Sequence, residues 1–337
     1  MSSRSVLILG GTGTLAATAE DLARSGASVT VTCRRPELAP PHWHDLGIRV
    51  LRNDREDVDA LDDLVGDGLD GIVDGQCYSP AHAADLARWS TRCEGTVMLS
   101  SRAVYVDALG NHANSDVRPV WDRPTSEENQ TLDYAGEPWN SREGYGTNKA
   151  EAERVLAASG RRVSVLRPAR IHGPSTRRVR EWPLLAALLA GTRRILVQKA
   201  EEAGSLTSTL TISRAVSACL RAPDARKVNV ADAPTATNLE VARILASSWG
   251  AEAEIVAAGD GGPVGGPGIA SEPEPGTALI PGAWATGQEL EGRRLTELIG
   301  TPPEVRSTLE RTAGWVGELA RRAPDGHWEL PEQFDGS

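Results

Sequence analysis

Tyr145 and Lys149 stand four residues apart in a segment, Glu143 to Leu156, whose pattern predicts a helix, so their side chains share one face. A carbonyl that accepts hydride also needs a proton, and a free phenol with a pKa of ~10 releases one slowly at neutral pH. A lysine ammonium one helical turn away favours the phenolate, and a serine hydroxyl can hold the carbonyl oxygen. Ser101, at the end of a predicted strand, supplies that hydroxyl. The plainer alternative is an (i, i+4) pair packed on a surface. With Tyr78, Tyr105, Tyr134 and Tyr145 as the tyrosines and Lys149, Lys199 and Lys227 as the lysines, chance gives Tyr-x-x-x-Lys in only about 4 of 100 such chains.

Catalysis of this kind needs a hydride carrier, and the start of the chain offers a place for one. Val6 to Leu9 is an apolar run that opens into Gly10, Gly11, Thr12, Gly13, Thr14 and Leu15, which predicts a strand, a tight turn and a helix over residues 12–25. Main-chain N–H groups at such a helix start favour an anion, so the stretch reads as a pyrophosphate cradle. An ordinary strand-to-helix turn is the bland alternative.

The elements that must bring these stretches together follow in order. Residues 27–33 read as a second strand, ending in Cys33, Arg34 and Arg35. At that point of a dinucleotide fold an acidic residue accepts from the ribose 2′-hydroxyl, whereas arginine accommodates a 2′-phosphate; Cys33 in the acidic slot and two arginines after it favour NADP(H) over NAD(H). A solvated arginine pair is the alternative. Residues 47–51 read as a third strand, followed by Asp54, a candidate for the adenine amino group or for a helix N-cap. Residues 71–75 and 96–100 give a fourth and a fifth strand, with a helix over 81–89 between them. This alternation predicts an α/β, Rossmann-type doubly wound parallel sheet.

A long polar segment, 107–140, then carries Trp121 and Trp139, which could close over a substrate or pack the loop down. After the Tyr145 helix, residues 163–166 form a sixth strand, leaving through Arg167, Pro168, Arg170 and His172. Residues 1–172 are therefore expected to form the dinucleotide-binding domain, with 227–248 returning to it as a strand and a helix, and 173–337 to be mainly a smaller substrate-binding region. In that region helices are predicted near 182–189, 213–220 and 303–322, and 258–282, rich in glycine and proline, reads as a flexible surface loop. Arg102, Arg170, His172 and Trp182 are candidate pocket residues, although a histidine in such a place is more often packed or hydrogen-bonded than catalytic.

A formal net charge of −10 argues against a nucleic-acid groove. No apolar run reaches ~18 residues and no basic start precedes an apolar stretch, so the reading is of a cytoplasmic protein with no membrane span. Cys33, Cys77, Cys93 and Cys219 lack Cys-x-x-Cys spacing, which fits reduced packing residues and no metal site.

Together, Gly10-Gly-Thr-Gly13, Ser101-Arg-Ala-Val-Tyr105, Tyr145-Gly-Thr-Asn-Lys149 and the Leu166–Pro174 segment resemble the extended short-chain dehydrogenase/reductase family, which holds NAD-dependent epimerases and dehydratases. The resemblance covers about residues 5–245. It implies Tyr145 as acid/base, Lys149 on the nicotinamide ribose, Ser101 on the substrate oxygen, Pro168 beside the nicotinamide, and a homodimer formed through two sheet-flanking helices. Three departures shape the expected reaction. Ala16 replaces the third glycine; Arg102-Ala103 stands where family dehydratases carry Asp-Glu; and Arg170 stands where sugar-nucleotide epimerases place asparagine. The expectation is an NADP-dependent reductase of a ketone, aldehyde or imine in a small biosynthetic intermediate. An NAD-dependent sugar-nucleotide epimerase is the second reading, and a non-catalytic dinucleotide-sensing regulator the third.

Overall fold

The computed structural model describes residues 4–259 and 275–334. Two compact units divide the chain: residues 1–169, 209–231 and 290–302 make the first, and residues 170–208, 232–289 and 303–337 the second. Among the described residues the strands are, in chain order, β1 Ser5–Leu9, β2 Ser28–Cys33, β3 Arg49–Arg52, β4 Leu69–Asp74, β5 Cys93–Leu99, β6 Val163–Pro168, β7 Arg170–His172, β8 Arg194–Val197, β9 Ala203–Gly204, β10 Leu206–Ser208, β11 Arg226–Val230, β12 Ala236–Thr237, β13 Glu254–Ala257, β14 Thr277–Ile280, β15 Arg321–Arg322 and β16 Trp328–Glu329. The helices are α1 Ala16–Arg24, α2 Val58–Val65, α3 Pro80–Trp89, α4 Gly144–Ala158, α5 Trp182–Leu189, α6 Thr209–Arg221, α7 Asn238–Ser248, α8 Arg293–Ile299 and α9 Val305–Leu319.

Seven parallel strands form the first unit's sheet in the order β11-β6-β5-β4-β1-β2-β3, the doubly wound arrangement that the alternating pattern predicts. The central strands are apolar on both faces because helices cover both. On one side Leu61, Val65, Leu86, Trp89, Ala152 and Leu156 of α2, α3 and α4 bury against Leu7, Leu9, Ile72, Met98 and Val165. At the β11 edge the open ladder is partly closed by side chains, Asn229 N–H donating to Glu127 at 2.7 Å and Arg294 Nη1 to the Lys227 carbonyl at 3.3 Å. Among the described residues no helix is long and apolar enough to cross a membrane.

The second unit has its own core: Leu184, Ile195, Val197, Val241, Leu245, Trp284, Val305 and Leu309 are buried together. Its three-stranded parallel sheet, β13-β8-β14, was not expected from the sequence. Residues 260–274 of the expected 258–282 loop lie outside the described residues, but Thr277–Ile280 is a strand paired to β8 rather than loop.

Other boundaries also differ. β11 returns to the large sheet as expected, whereas α7, at 238–248, belongs to the second unit because Val241, Ala242 and Leu245 are consumed by that core. Conversely α6, expected in the substrate region, lies in the first unit, where Ser213 donates to Asp21 of α1 at 2.7 Å. The first helix starts at Ala16, four residues later than residues 12–25 suggest, because the glycines hold 10–15 in turns. Asp54 does not cap α2. Asp57 does, accepting from Ala60 N–H at 3.2 Å, while exposed Asp54 accepts from Glu56 N–H.

Candidate active site

α4 has an unusual composition for a buried helix: Thr147, Asn148, Lys149 and Glu153 are all buried on it. Polar anchors add to the apolar packing of Ala152 and Leu156 in fixing its position. Asn148 Nδ2 donates to the Glu137 carbonyl at 2.7 Å, Lys149 Nζ to the Leu99 carbonyl at 2.7 Å, and Ser100 Oγ to Glu153 at 2.5 Å. Arg167 of β6 forms a buried ion pair with Glu153 and donates to the Tyr105 hydroxyl at 3.0 Å, which in turn donates to Asn229 at 2.6 Å. Burial pushes the Tyr105 phenol up to about 12, against the opposing pull of Arg167. With burial working against its charge, Arg167 is still held above the usual guanidinium range by Glu153. A pair this well coordinated locks α4 to the ends of β5 and β6.

The end of β5 is clamped to α4 on both sides of Ser101. Before it, the Leu99 carbonyl holds Lys149; after it, the Ala103 carbonyl oxygen lies only 2.5 Å from where a Cβ on Gly146 would be. Gly146 is thus the residue that lets the 102–104 turn, begun by Arg102, approach the helix beside Tyr145. Ser101 Oγ accepts from Ala103 N–H at 3.1 Å, and its own proton is left for another acceptor. Tyr145 is half-buried.

At the same sheet edge Leu9 pairs with Asp74 and Thr32, so the glycine turn follows directly beside the segment after β4. Gly10 sits at φ 78°, and a Cβ there would lie 2.6 Å from Gln76 Cγ. Among the described residues α1 has no side-chain cap, its N-cap position being the apolar Leu15. Both features fit the pyrophosphate of a dinucleotide at residues 10–15. Pro168 ends β6 in register with Val230. At the end of β2, Cys33 is buried, while Arg34 and Arg35 are exposed; among the described residues neither guanidinium has an ion-pair partner.

Tyr78 and Gln76 are not picked out by the sequence pattern, whereas Trp139 is one of the two tryptophans that could close over a substrate or pack the loop down. Tyr78 stacks on Trp139 with centroids 5.0 Å apart and planes at 11°, and Lys149 Nζ lies 4.6 Å from the centroid of the same Tyr78 ring. Tyr145 stands 6.5 Å from Tyr78, ring to ring. The signal that could have found Tyr78 is its place in the loop after β4, at the carboxyl edge where such sheets bind ligands. Trp121, by contrast, packs against the cluster around Val104, Tyr105 and Leu132, as the packing alternative has it.

Within the second unit, Arg170 lies in β7, paired with Leu206, and Arg180 donates to the Ile171 carbonyl at 3.1 Å. Burial and the neighbouring Arg170 charge bring the Arg180 pKa down to about 10. His172 is buried, with Nε2 3.1 Å from Asp232 and Nδ1 2.8 Å from Thr312, so it is a network residue as the bland alternative has it. Trp182 opens α5 and packs beside Val179, Leu185, Val316 and Leu330. Among the described residues no group of His, Cys, Asp and Glu is arranged to hold a metal.

Neither a family model nor a curated protein matches the chain. Solved structures do. The Bordetella bronchiseptica enzyme WbmH in complex with NAD+ superposes with a TM-score of 0.65 at 14% identity over 94% of this chain and 99% of that one. The dTDP-glucose 4,6-dehydratase of Bacillus anthracis in complex with NAD gives 0.69 at 12% identity over 94% and 97%. UDP-glucuronic acid 4-epimerase of Bacillus cereus in complex with NAD gives 0.66 at 13% identity over 94% and 97%. The chain has the fold of the extended short-chain dehydrogenases and reductases, the NAD-dependent epimerases and dehydratases.

Proposed function

We propose that this protein is a nicotinamide-dinucleotide-dependent enzyme acting at a carbinol or carbonyl carbon, with NAD-dependent epimerisation of a sugar nucleotide as its first reading. The observation that carries the proposal is the clamp of β5 on α4, with Leu99 on Lys149 and Ala103 against Gly146, which brackets Ser101 beside the Tyr145 turn. Residues 10–15 would hold the pyrophosphate and Lys149 the nicotinamide ribose. When bound, the dinucleotide supplies a carbon that accepts or gives hydride. Tyr145 moves the proton between its phenol and the substrate oxygen, and Ser101 donates to that oxygen as charge develops on it. The solved neighbours, epimerases bound to NAD among them, support the redox-neutral reading. Dehydration is disfavoured by Arg102-Ala103 in place of an acid pair.

NADPH-dependent reduction is the second reading, supported by Cys33, Arg34 and Arg35 at the ribose end of β2. The deciding measurement is identification of the nucleotide that copurifies, followed by fluorescence titration of the stripped protein with NADH and NADPH. Retained NAD, with no net NADPH consumption, supports the epimerase. An empty protein preferring NADPH moves reduction to first place, and failure to bind either dinucleotide overturns both.

A further inference from the structure

Lys149 is a cation with 1% of its surface exposed, and among the described residues no carboxylate lies within ion-pair distance of it. A buried ammonium without a counter-ion is costly unless its N–H groups and charge are otherwise met. The Leu99 carbonyl takes one N–H at 2.7 Å. Among the described residues the face of the Tyr78 ring, 4.6 Å from Nζ, is its other partner, and an aromatic face attracts a desolvated cation through its quadrupole. That ring is itself held: Trp139 stacks on it, and the Tyr78 N–H donates to His82 Nδ1 at 3.2 Å. His82 is buried, its Nε2 2.8 Å from Glu56. Accepting at Nδ1 leaves the ring proton on Nε2, where it donates to Glu56 and fixes the imidazole.

We infer that Tyr78, backed by Trp139 and anchored through His82, is a positioning residue that holds the Lys149 ammonium by a cation–π contact and leaves its remaining N–H for the ribose of the nicotinamide nucleotide. This rests on the dinucleotide-dependent reading above. It extends the site from the Ser101, Tyr145 and Lys149 set to the loop after β4, whose aromatic face stands in for the missing counter-ion. A carboxylate in that place would pair with the ammonium and draw it away from a ligand, whereas a ring holds the charge without competing for every N–H.

The scarcity of lysine makes the test direct. With three lysines in the chain, a protein labelled with 13C at the lysine ε-carbon gives three side-chain signals, and Lys149→Met identifies one of them. The Lys149 signal is expected upfield of the other two through the Tyr78 ring current, and to lose that displacement in Tyr78→Leu. An unshifted signal in the wild-type protein overturns the contact. NADH and NADPH affinities of Tyr78→Leu, Lys149→Met and the double variant then complete a cycle. Tyr78→Leu is expected to weaken binding about tenfold, and the double variant to be no weaker than Lys149→Met alone. Additive losses overturn the assignment to Lys149 while leaving dinucleotide binding intact; a wild-type protein that binds neither nucleotide overturns the functional reading and the role of Tyr78 with it. Should Tyr78→Leu fail to fold, a series of increasingly fluorinated phenylalanines at position 78 keeps the ring's shape and weakens its face. Affinity falling in the order of fluorination supports the proposal, and equal affinity across the series overturns it.

Discussion

The two units each bury a charged group, and they treat it in opposite ways. In the second unit Asp232 accepts from the Ser208 N–H at 3.1 Å, the Ser208 hydroxyl at 2.9 Å, Thr308 at 2.7 Å and His172 at 3.1 Å. Thr312 meets the other nitrogen of His172 at 2.8 Å, so the network runs on from Asp232 through the imidazole into α9. In the first unit Lys149 has a carbonyl and a ring face, and Ser101 and Tyr145 stand beside it on the same clamp. A carboxylate with its lone pairs filled knits β7, β10 and α9 together; an ammonium with a donor to spare is poised for a ligand. The difference separates a buried charge met on all sides from one with an N–H left over more clearly than burial does, since both groups are almost fully enclosed.

This contrast predicts that function and stability come apart on substitution. Tyr145→Phe removes the proton donor and should lower turnover about 10²- to 10⁴-fold, with dinucleotide affinity near wild type by fluorescence titration. Loss of binding in that variant would mean that Tyr145 serves the fold or the cofactor instead. Asp232→Ala leaves Ser208, Thr308 and His172 facing an empty acceptor site and should cost about 3–5 kcal/mol in urea unfolding. A stable Asp232→Ala protein with weakened ligand binding would erase the contrast between the two charges. Gly146→Ala drives a methyl into the Ala103 carbonyl and should cost about 1–3 kcal/mol, with turnover reduced in the protein that remains folded. Unchanged turnover there would show that the β5 clamp does not position Ser101. The smallest effect belongs to the exposed pair: Arg34→Ala with Arg35→Ala should weaken NADPH about tenfold and leave NADH unaltered if the arginines meet a 2′-phosphate. Equal loss for both nucleotides, or none, would place them with the solvent.

Much of the first unit could be read in the sequence because its signals are local. The apolar runs of β1 and β5, the glycines of the first turn and the four-residue spacing of Tyr145 and Lys149 each carry their meaning within about ten residues. Asp54 misled because Asp57, three residues on, offers the same side-chain chemistry, and only the true start of α2 separates them. The second unit was harder to read: β13, β8 and β14 are four-residue strands that pair across long stretches of chain, and nothing in their own composition names their partners.

The sequence by itself determined that the chain would wind a parallel sheet, open it on a glycine turn, and put a phenol and an ammonium on one helix face, because strand and helix periodicity and backbone freedom are properties of neighbouring residues. Only the tertiary structure decided that Gly146 admits the Ser101 turn, that Asp232 gathers His172 into a network, and that Lys149 meets Tyr78 instead of a carboxylate. These are contacts between residues tens of positions apart in sequence. Their partners are selected by how helices settle on the sheet, through close packing and the need of each buried polar group for a counterpart, and no local pattern encodes that choice.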